Sequence, residues 1–186
     1  MTPERITLGS DSEESAAVAA VVRHHGAMTA RVAELAGGVV DAVTDGADVS
    51  GAKTALVSYM RDEVLPHALA EESTLYRAAA EEDRARMLID AMIAEHALIF
   101  VLIDCLDGAQ EPGPVAAAAG AVEALFVAHV RKENDLIVPL LASLPDVSLA
   151  GLVRGLHELV GEDDAAATGG DAGDGGAGDG CGCDKD

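Results

Sequence analysis

The sequence predicts an all-α protein, an antiparallel up-and-down four-helix bundle with a short fifth helix. Composition, apolar spacing and the lack of a strand pattern predict this fold. The chain is rich in alanine, valine and leucine, and its apolar residues recur at three- and four-residue steps. No stretch alternates apolar and polar residues as a half-buried strand would. At 186 residues, the chain is long enough for one well-buried domain and an appendage.

The first helix is predicted to run from about Asp11 or Ser12 to about Val43. This helix begins with residues that can cap a helix N-terminus. Glu13 and Glu14 in its first turn interact favourably with the helix dipole. The sequence TDGAD then ends it.

The second helix is predicted from near Ser50 to about Ala80, with Pro66 inside it. Because proline has no backbone N–H, we expect a kink at this position and a free backbone carbonyl one turn earlier.

The remaining helices are separated by clear turn signals. The third is predicted roughly from Glu82 to Leu106, and the sequence DGAQEPGP forms the next turn. The fourth extends from about Pro114 to Leu144, with Pro139 near its end. The amphipathic sequence SLAGLVRGLHELV predicts the short fifth helix.

The composition changes near residue 161, which divides the chain into a helical domain at residues 1–160 and a tail at residues 161–186. The tail has nine glycines, eight acidic residues and one lysine, without leucine, isoleucine, valine or an aromatic residue. Such a segment buries too little apolar surface to offset its ordering entropy, so we expect a disordered acidic tail. It ends in Cys181-Gly-Cys183, a pair that could bind soft metal ions or exchange disulfides.

The charge and the absence of targeting patterns restrict the functional class. A formal charge of −21 argues against nucleic acid and anionic membranes as partners. The first residues show no secretory signal, and no uncharged apolar run reaches the ~18 residues that span a bilayer. Three cysteines are too few for a disulfide framework, so we expect a cytoplasmic protein.

Each of the four long helices carries a histidine well inside its apolar stripe, and two stripes carry a glutamate one turn later. In the fourth helix the stripe continues through Leu136 and Leu140. In an antiparallel bundle these central positions converge at a similar depth. The polar residues predicted in this interior layer are His25, His67, Glu71, His96, His129 and Glu133.

This interior layer predicts a metal site. A single histidine on an apolar face is usually a hydrogen-bonded core residue, but four at one depth are not explained in this way. Burying Glu71 and Glu133 as unpaired anions would cost several kcal/mol each. A pair of divalent cations removes that cost, because neutral imidazole and carboxylate are natural ligands for them.

The spacing His-x-x-x-Glu occurs twice, as HALAE at residues 67–71 and as HVRKE at residues 129–133. None of the six histidines has a glutamate three residues before it, which is the spacing of ferritin-like bundles. With RHHGAM around His25 and AEHALIF around His96, the chain from about residue 15 to 145 resembles the hemerythrin-like family, the HHE cation-binding domains.

The resemblance implies a non-haem di-iron centre inside a four-helix bundle, with Glu71 and Glu133 bridging the two irons. The histidines implied for each iron are His25 and His67 for one, and His96 and His129 for the other. Oxygen-carrying hemerythrins have a further histidine one turn after the ligand in the third helix, where this chain has Phe100. One iron would therefore keep an open position, which favours a centre that reacts with small oxidants over simple reversible oxygen carriage.

Several residues near these stripes remain open to more than one interpretation. We expect His24 to be exposed or to support a ligand indirectly, and His157 to be a partly exposed residue that could instead cap one end of the site. Glu63 could be an extra ligand or bind an imidazole, although a solvated glutamate is favoured. Cys105 is predicted to be a small buried apolar residue. Tyr59 and Tyr76 could donate hydrogen bonds to bound oxygen species, although plain packing with the hydroxyl at the surface is favoured.

Three functional classes are compatible with the sequence. The centre could bind or react with O2, peroxide or nitric oxide, with an oxidase or peroxide-consuming activity. It could instead sense or store iron or oxygen. The third class is a helical interaction module without redox chemistry, whose buried polar layer fixes the bundle register. The cost of burying the two glutamates without a cation argues against the interaction module. The lack of a recognisable output domain after the bundle argues against a sensor.

Overall fold

The computed structural model describes residues 11–160, in which all regular structure is helical and five helices pack as a bundle. The predicted all-α bundle is therefore confirmed. The predicted tail, with Cys181 and Cys183, lies outside the described residues. The helices are α1 (Asp11–Thr44), α2 (residues 50–79), α3 (Arg86–Gly108), α4 (Pro112–Ala142) and α5 (Leu149–Val160).

The four long helices enclose a core with two apolar clusters. Helix α1 lies along α4 and α2, α3 lies along α4 and α2, and α5 packs against α1 and the second half of α2. One cluster includes Val32, Leu56 and Ile103, and the other includes Leu75 and Met92. Burying such side chains stabilises the fold by about 1.5–3 kcal/mol each. Along every long helix, the predicted polar residues separate the two clusters.

Helix α2 widens into a π-helical turn at Met60–Val64, just before Pro66. The Leu65 N–H bonds to the Met60 carbonyl, five residues earlier, while proline has no N–H to offer the preceding turn. The irregularity predicted at this proline is thus a widened turn, a feature common at functional sites. A second π-helical turn, Glu72–Tyr76, follows in the same helix.

Helix α4 has the same feature before Pro139, where Glu133–Ile137 forms a π-helical turn. The extra residue in this turn shifts the buried face by one position. Leu136, predicted in the apolar stripe, is 48% exposed, whereas Ile137 is buried. The Leu136 prediction was wrong because it assumed an uninterrupted period of 3.6 residues.

Two further predictions are corrected. Helix α3 begins at Arg86 and not near Glu82, because residues 80–85 form a turn between α2 and α3. Cys105 is exposed, since it faces away from the bundle between the buried Ile103 and Leu106.

The connection after α1 turns at Gly46, which has φ of 65°, a conformation that glycine adopts without steric cost.

Helix α4 is long and apolar enough to cross a membrane by length and composition alone. The same test is met by helices in the core of soluble proteins. Several of its side chains, including Val122, Phe126 and His129, are buried between the other helices of the bundle.

Candidate metal centre

The structure brings the six predicted polar residues together in the bundle interior. Each is no more than 7% exposed, and together they are all of the buried polar or charged side chains in residues 11–160, tyrosine aside. They come from all four long helices: α1 supplies one, α2 two, α3 one and α4 two. These residues are His25, His67, Glu71, His96, His129 and Glu133.

The first group of potential ligands consists of His25, His67 and Glu71. Glu71 Oε1 lies 3.1 Å from His25 Nε2 and 3.2 Å from His67 Nε2. The two imidazole nitrogens are 3.4 Å apart. Three donor atoms of three side chains therefore point at one small volume, as the ligands of one ion do.

The second group consists of His96, His129 and Glu133. His129 Nε2 lies 3.1 Å from Glu133 Oε1. The other oxygen of this carboxylate, Oε2, lies 3.9 Å from His25 Nε2 in the first group. Glu133 therefore extends towards both groups, as a bridging carboxylate would.

The interior layer carries uncompensated negative charge unless imidazoles or cations balance it. Burial alone would lower the pKa of His25. The hydrogen bond and the charge of Glu71 outweigh this effect and raise the pKa to about 9. Burial likewise opposes ionisation of Glu71, but His67 and His25 hold the pKa of this carboxyl well below its usual range. Without a cation, a proton on His25 thus partly offsets the charge of the two carboxylates.

Hydrogen bonds at the outer ring nitrogens direct three imidazoles into the site. In a neutral imidazole, an Nδ1–H that donates to a carboxylate or amide oxygen leaves Nε2 unprotonated and facing the carboxylates, which is the tautomer that binds metal ions. The Nδ1 atom of His67 is buried without a hydrogen-bond partner. The three bonds are His25 Nδ1 to Asn134 Oδ1 at 2.8 Å, His96 Nδ1 to Glu72 Oε1 at 2.8 Å, and His129 Nδ1 to Glu95 Oε2 at 3.0 Å.

Glu95 is itself held in place by an ion pair with Lys132. Although partial burial opposes its ionisation, hydrogen bonds from Lys132 and His129 hold the pKa of Glu95 below its usual value. An ionised acceptor makes His129 a stronger electron donor through Nε2.

Removing an outer partner should weaken metal binding. Because Glu72 orients His96, we expect Glu72→Ala to lower the affinity for Fe(II) by about 10–100-fold. An anaerobic titration against a competing chelator measures this change. The control is Glu34→Ala, which removes an exposed glutamate from the surface of α1 and should leave the affinity unchanged. Equal affinities of the Glu72 variant and the wild type would show that this contact does not support the site.

The chain matches the Hemerythrin HHE cation binding domain over residues 16–141, which covers nearly all of the four long helices and includes all six potential ligands. The chain belongs to the hemerythrin HHE cation-binding family. No curated protein and no solved structure shows a significant match. The resemblance found in the sequence is confirmed, and the protein contains an HHE domain with two buried His-His-Glu groups inside its bundle.

Three residues that were open to interpretation lie near the first group. His24 is half-buried, with its ring centroid 4.8 Å from that of His67. His157 of α5 is half-buried and shares a small cavity with His24 and Glu71. Glu63 is exposed, as favoured from the sequence. These residues surround the first group, which is flanked by α5 on one side and by a surface pocket on the other.

The favoured interpretation of Tyr76, with its hydroxyl at the surface, was wrong. The residue is 1% exposed, and its hydroxyl donates a hydrogen bond to Glu133 Oε1. The hydroxyl oxygen also lies 3.1 Å from His129 Nε2. Burial, reinforced by the charges of Glu133 and Glu71, raises the pKa of Tyr76. Tyr59, by contrast, lines the surface pocket beside His67.

The residues of this HHE domain fit a pair of metal ions. Each group offers two imidazoles and one carboxylate, and neutral nitrogen with anionic oxygen suits first-row transition metals. Three of the four imidazoles have their outer nitrogen engaged, which leaves the inner one free to bind. The donor set is thus consistent with a di-metal site, and the assignment of each residue as a ligand stays a prediction.

Proposed function

We propose that this hemerythrin-like domain binds two iron ions and reacts with O2, peroxide or nitric oxide. The observation that carries the proposal is the composition of the interior: the buried polar and charged side chains of residues 11–160, tyrosine aside, are two His-His-Glu groups. When bound, an iron pair supplies the redox equivalents that reduce such molecules. The protein binds and orients the pair and excludes bulk water from it.

The donor set suits non-haem iron. Two histidines and one carboxylate with open positions are typical of non-haem Fe(II) sites that react with oxygen. Structural zinc sites, in contrast, have four closed ligands and frequently use cysteine. The only cysteine in residues 11–160, Cys105, is exposed on α3 and takes no part in the site.

Apolar side chains line the interior beside the donors. The six potential ligands share a cavity with apolar side chains that include Met28, Ile99 and Phe126. Phe100 lies on the same wall, with its ring centroid 6.4 Å from that of His96. An apolar side chain at this position supplies no ligand to the iron bound by His96. This iron would therefore keep an open coordination position, which favours a reactive centre.

We propose that small oxidants reach the metal centre through a surface pocket. A cavity of about 340 Å³ opens between α1 and α2, and it is lined by His24, Tyr59, Glu63 and His67 among others. His67 therefore belongs both to this surface pocket and to the buried first group. A small oxidant that enters the pocket would meet the first group before the second.

Metal analysis combined with visible spectroscopy tests the proposal. Protein loaded with Fe(II) without oxygen should hold about two irons per chain, one for each group of ligands. On exposure to air its visible spectrum should change, and removal of oxygen should not restore the starting spectrum. Protein that binds no iron, or prefers zinc under competition, would refute the di-iron assignment. A spectrum unaffected by air and peroxide would refute the reactive centre and leave storage or sensing.

A further inference from the structure

We propose that the hydroxyl oxygen of Tyr76 is a direct ligand of the ion held by His96, His129 and Glu133. The inference rests on the proposed di-iron centre. It adds a tyrosine to the set of ligands, which the spacing of histidine and glutamate in the sequence does not reveal. Binding replaces the tyrosine O–H bond with an O–iron bond, and the proton leaves to solvent, as with other ligands that bind metals in their deprotonated form.

The distance from Tyr76 Oη to His129 Nε2 is that expected between two ligands of one ion. Two donors bound at about 2.0–2.2 Å and at right angles lie about 3 Å apart. Tyr76 Oη is 3.1 Å from His129 Nε2, and His129 Nε2 is 3.1 Å from Glu133 Oε1. In the first group, the corresponding separations of Glu71 from His25 and His67 are 3.1 and 3.2 Å. Relative to His129, the hydroxyl thus lies at the same separation as the predicted ligands do from one another.

The fold holds the tyrosine ring in this position. The ring stacks on His96, with centroids 5.4 Å apart and planes only 7° from parallel. Tyr76 ends the π-helical turn Glu72–Tyr76, which begins directly after Glu71. In a regular α-helix, a residue five positions after Glu71 would point away from it, whereas the wider turn brings both side chains to the interior. A ring held in this way has little freedom to move when an ion binds.

The additional ligand makes the two ions unequal. The other tyrosine of the chain, Tyr59, lines the surface pocket. The ion of the second group would have two imidazoles, a shared carboxylate and a hard anionic oxygen, which suits ferric iron. The other ion, that of His25 and His67, would lie on the side where the surface pocket opens.

The chain contains only two tyrosines, so the ligand can be assigned by substitution. Iron bound to a tyrosine oxygen gives a visible charge-transfer band, and resonance Raman excitation in that band shows the ring vibrations of tyrosinate. We expect both signatures in the air-oxidised, iron-loaded protein. They should be lost in Tyr76→Phe and retained in the control Tyr59→Phe, with iron content measured for each protein.

The outcomes separate this inference from the proposed function. Two irons per chain without a tyrosinate signature would overturn the Tyr76 assignment and leave the di-iron centre in place. A signature that persists in Tyr76→Phe, or disappears in Tyr59→Phe, would overturn it as well. Absence of iron would overturn the proposed function itself. If Tyr76→Phe does not fold, the folded Tyr59→Phe protein decides the question, because Tyr76 is then its sole tyrosine.

Discussion

Replacing Glu71 with glutamine should prevent metal binding and abolish the metal-dependent part of the stability. Glu71 is 2% exposed and contacts both imidazoles of the first group. Glutamine has nearly the same shape but lacks the negative charge, so it preserves the packing while weakening the site. Metal at about 100 times its dissociation constant stabilises a folded protein by about 2.7 kcal/mol. For a domain of this size, that corresponds to roughly 5–11 °C in melting temperature.

Thermal melts with metal and with chelator measure this effect. The wild type should melt at a lower temperature in chelator, whereas Glu71→Gln should melt at one temperature in both conditions. The control is Glu63→Gln, which makes the same change at an exposed position of α2 and should respond like the wild type. A Glu71→Gln protein with full metal content and the wild-type response to chelator would show that Glu71 is not a ligand.

Replacing Phe100 with histidine should shift the centre from reaction with oxygen towards reversible binding. Position 100 lies one helical turn after His96, and its ring faces the cavity shared by the six potential ligands. A histidine there can supply one more imidazole to the ion of the second group. We expect the reduced variant to survive more cycles of air and vacuum than the wild type. Peroxide consumption should slow by about tenfold, which corresponds to ~1.4 kcal/mol in activation free energy.

The matched control for this variant is Phe100→Leu, which removes the aromatic ring without adding a ligand. If the new imidazole causes the change, the leucine variant should oxidise in air as rapidly as the wild type. Equal behaviour of the histidine and leucine variants would attribute the effect to lost packing. Wild-type protein that binds O2 reversibly through many cycles would contradict the role given to Phe100 and favour an oxygen carrier.

The helices and the six potential ligands could be predicted from sequence because both depend on local periodicity. Residues four positions apart share a helix face, so His67 with Glu71, and His129 with Glu133, had to lie side by side. Apolar neighbours at the same period placed these faces in the interior. The start of α3 was less predictable, because the turn at residues 80–85 contains helix-forming residues and neither glycine nor proline.

The same assumption of regular periodicity failed at the widened turns. A π-helical turn inserts one extra residue, so the residue that returns to the interior comes one position later than expected. For this reason the exposed Leu136 was predicted in the stripe in place of Ile137. For the same reason, the regular period did not predict that the Tyr76 side chain lies in the interior. Pro66 and Pro139 do, however, indicate irregular backbone near the site.

By itself, the sequence determined the all-α class, the family and the residues that form the polar layer. Only the tertiary structure decided how close these residues lie to one another and which side chains support them. The carboxylates of Glu72 and Glu95, on neighbouring helices, accept hydrogen bonds from His96 and His129, and the Tyr76 hydroxyl donates to Glu133 from another helix. The physical reason is that such contacts depend on the angle, depth and register at which helices pack, whereas a helical period specifies only which face of each helix is buried.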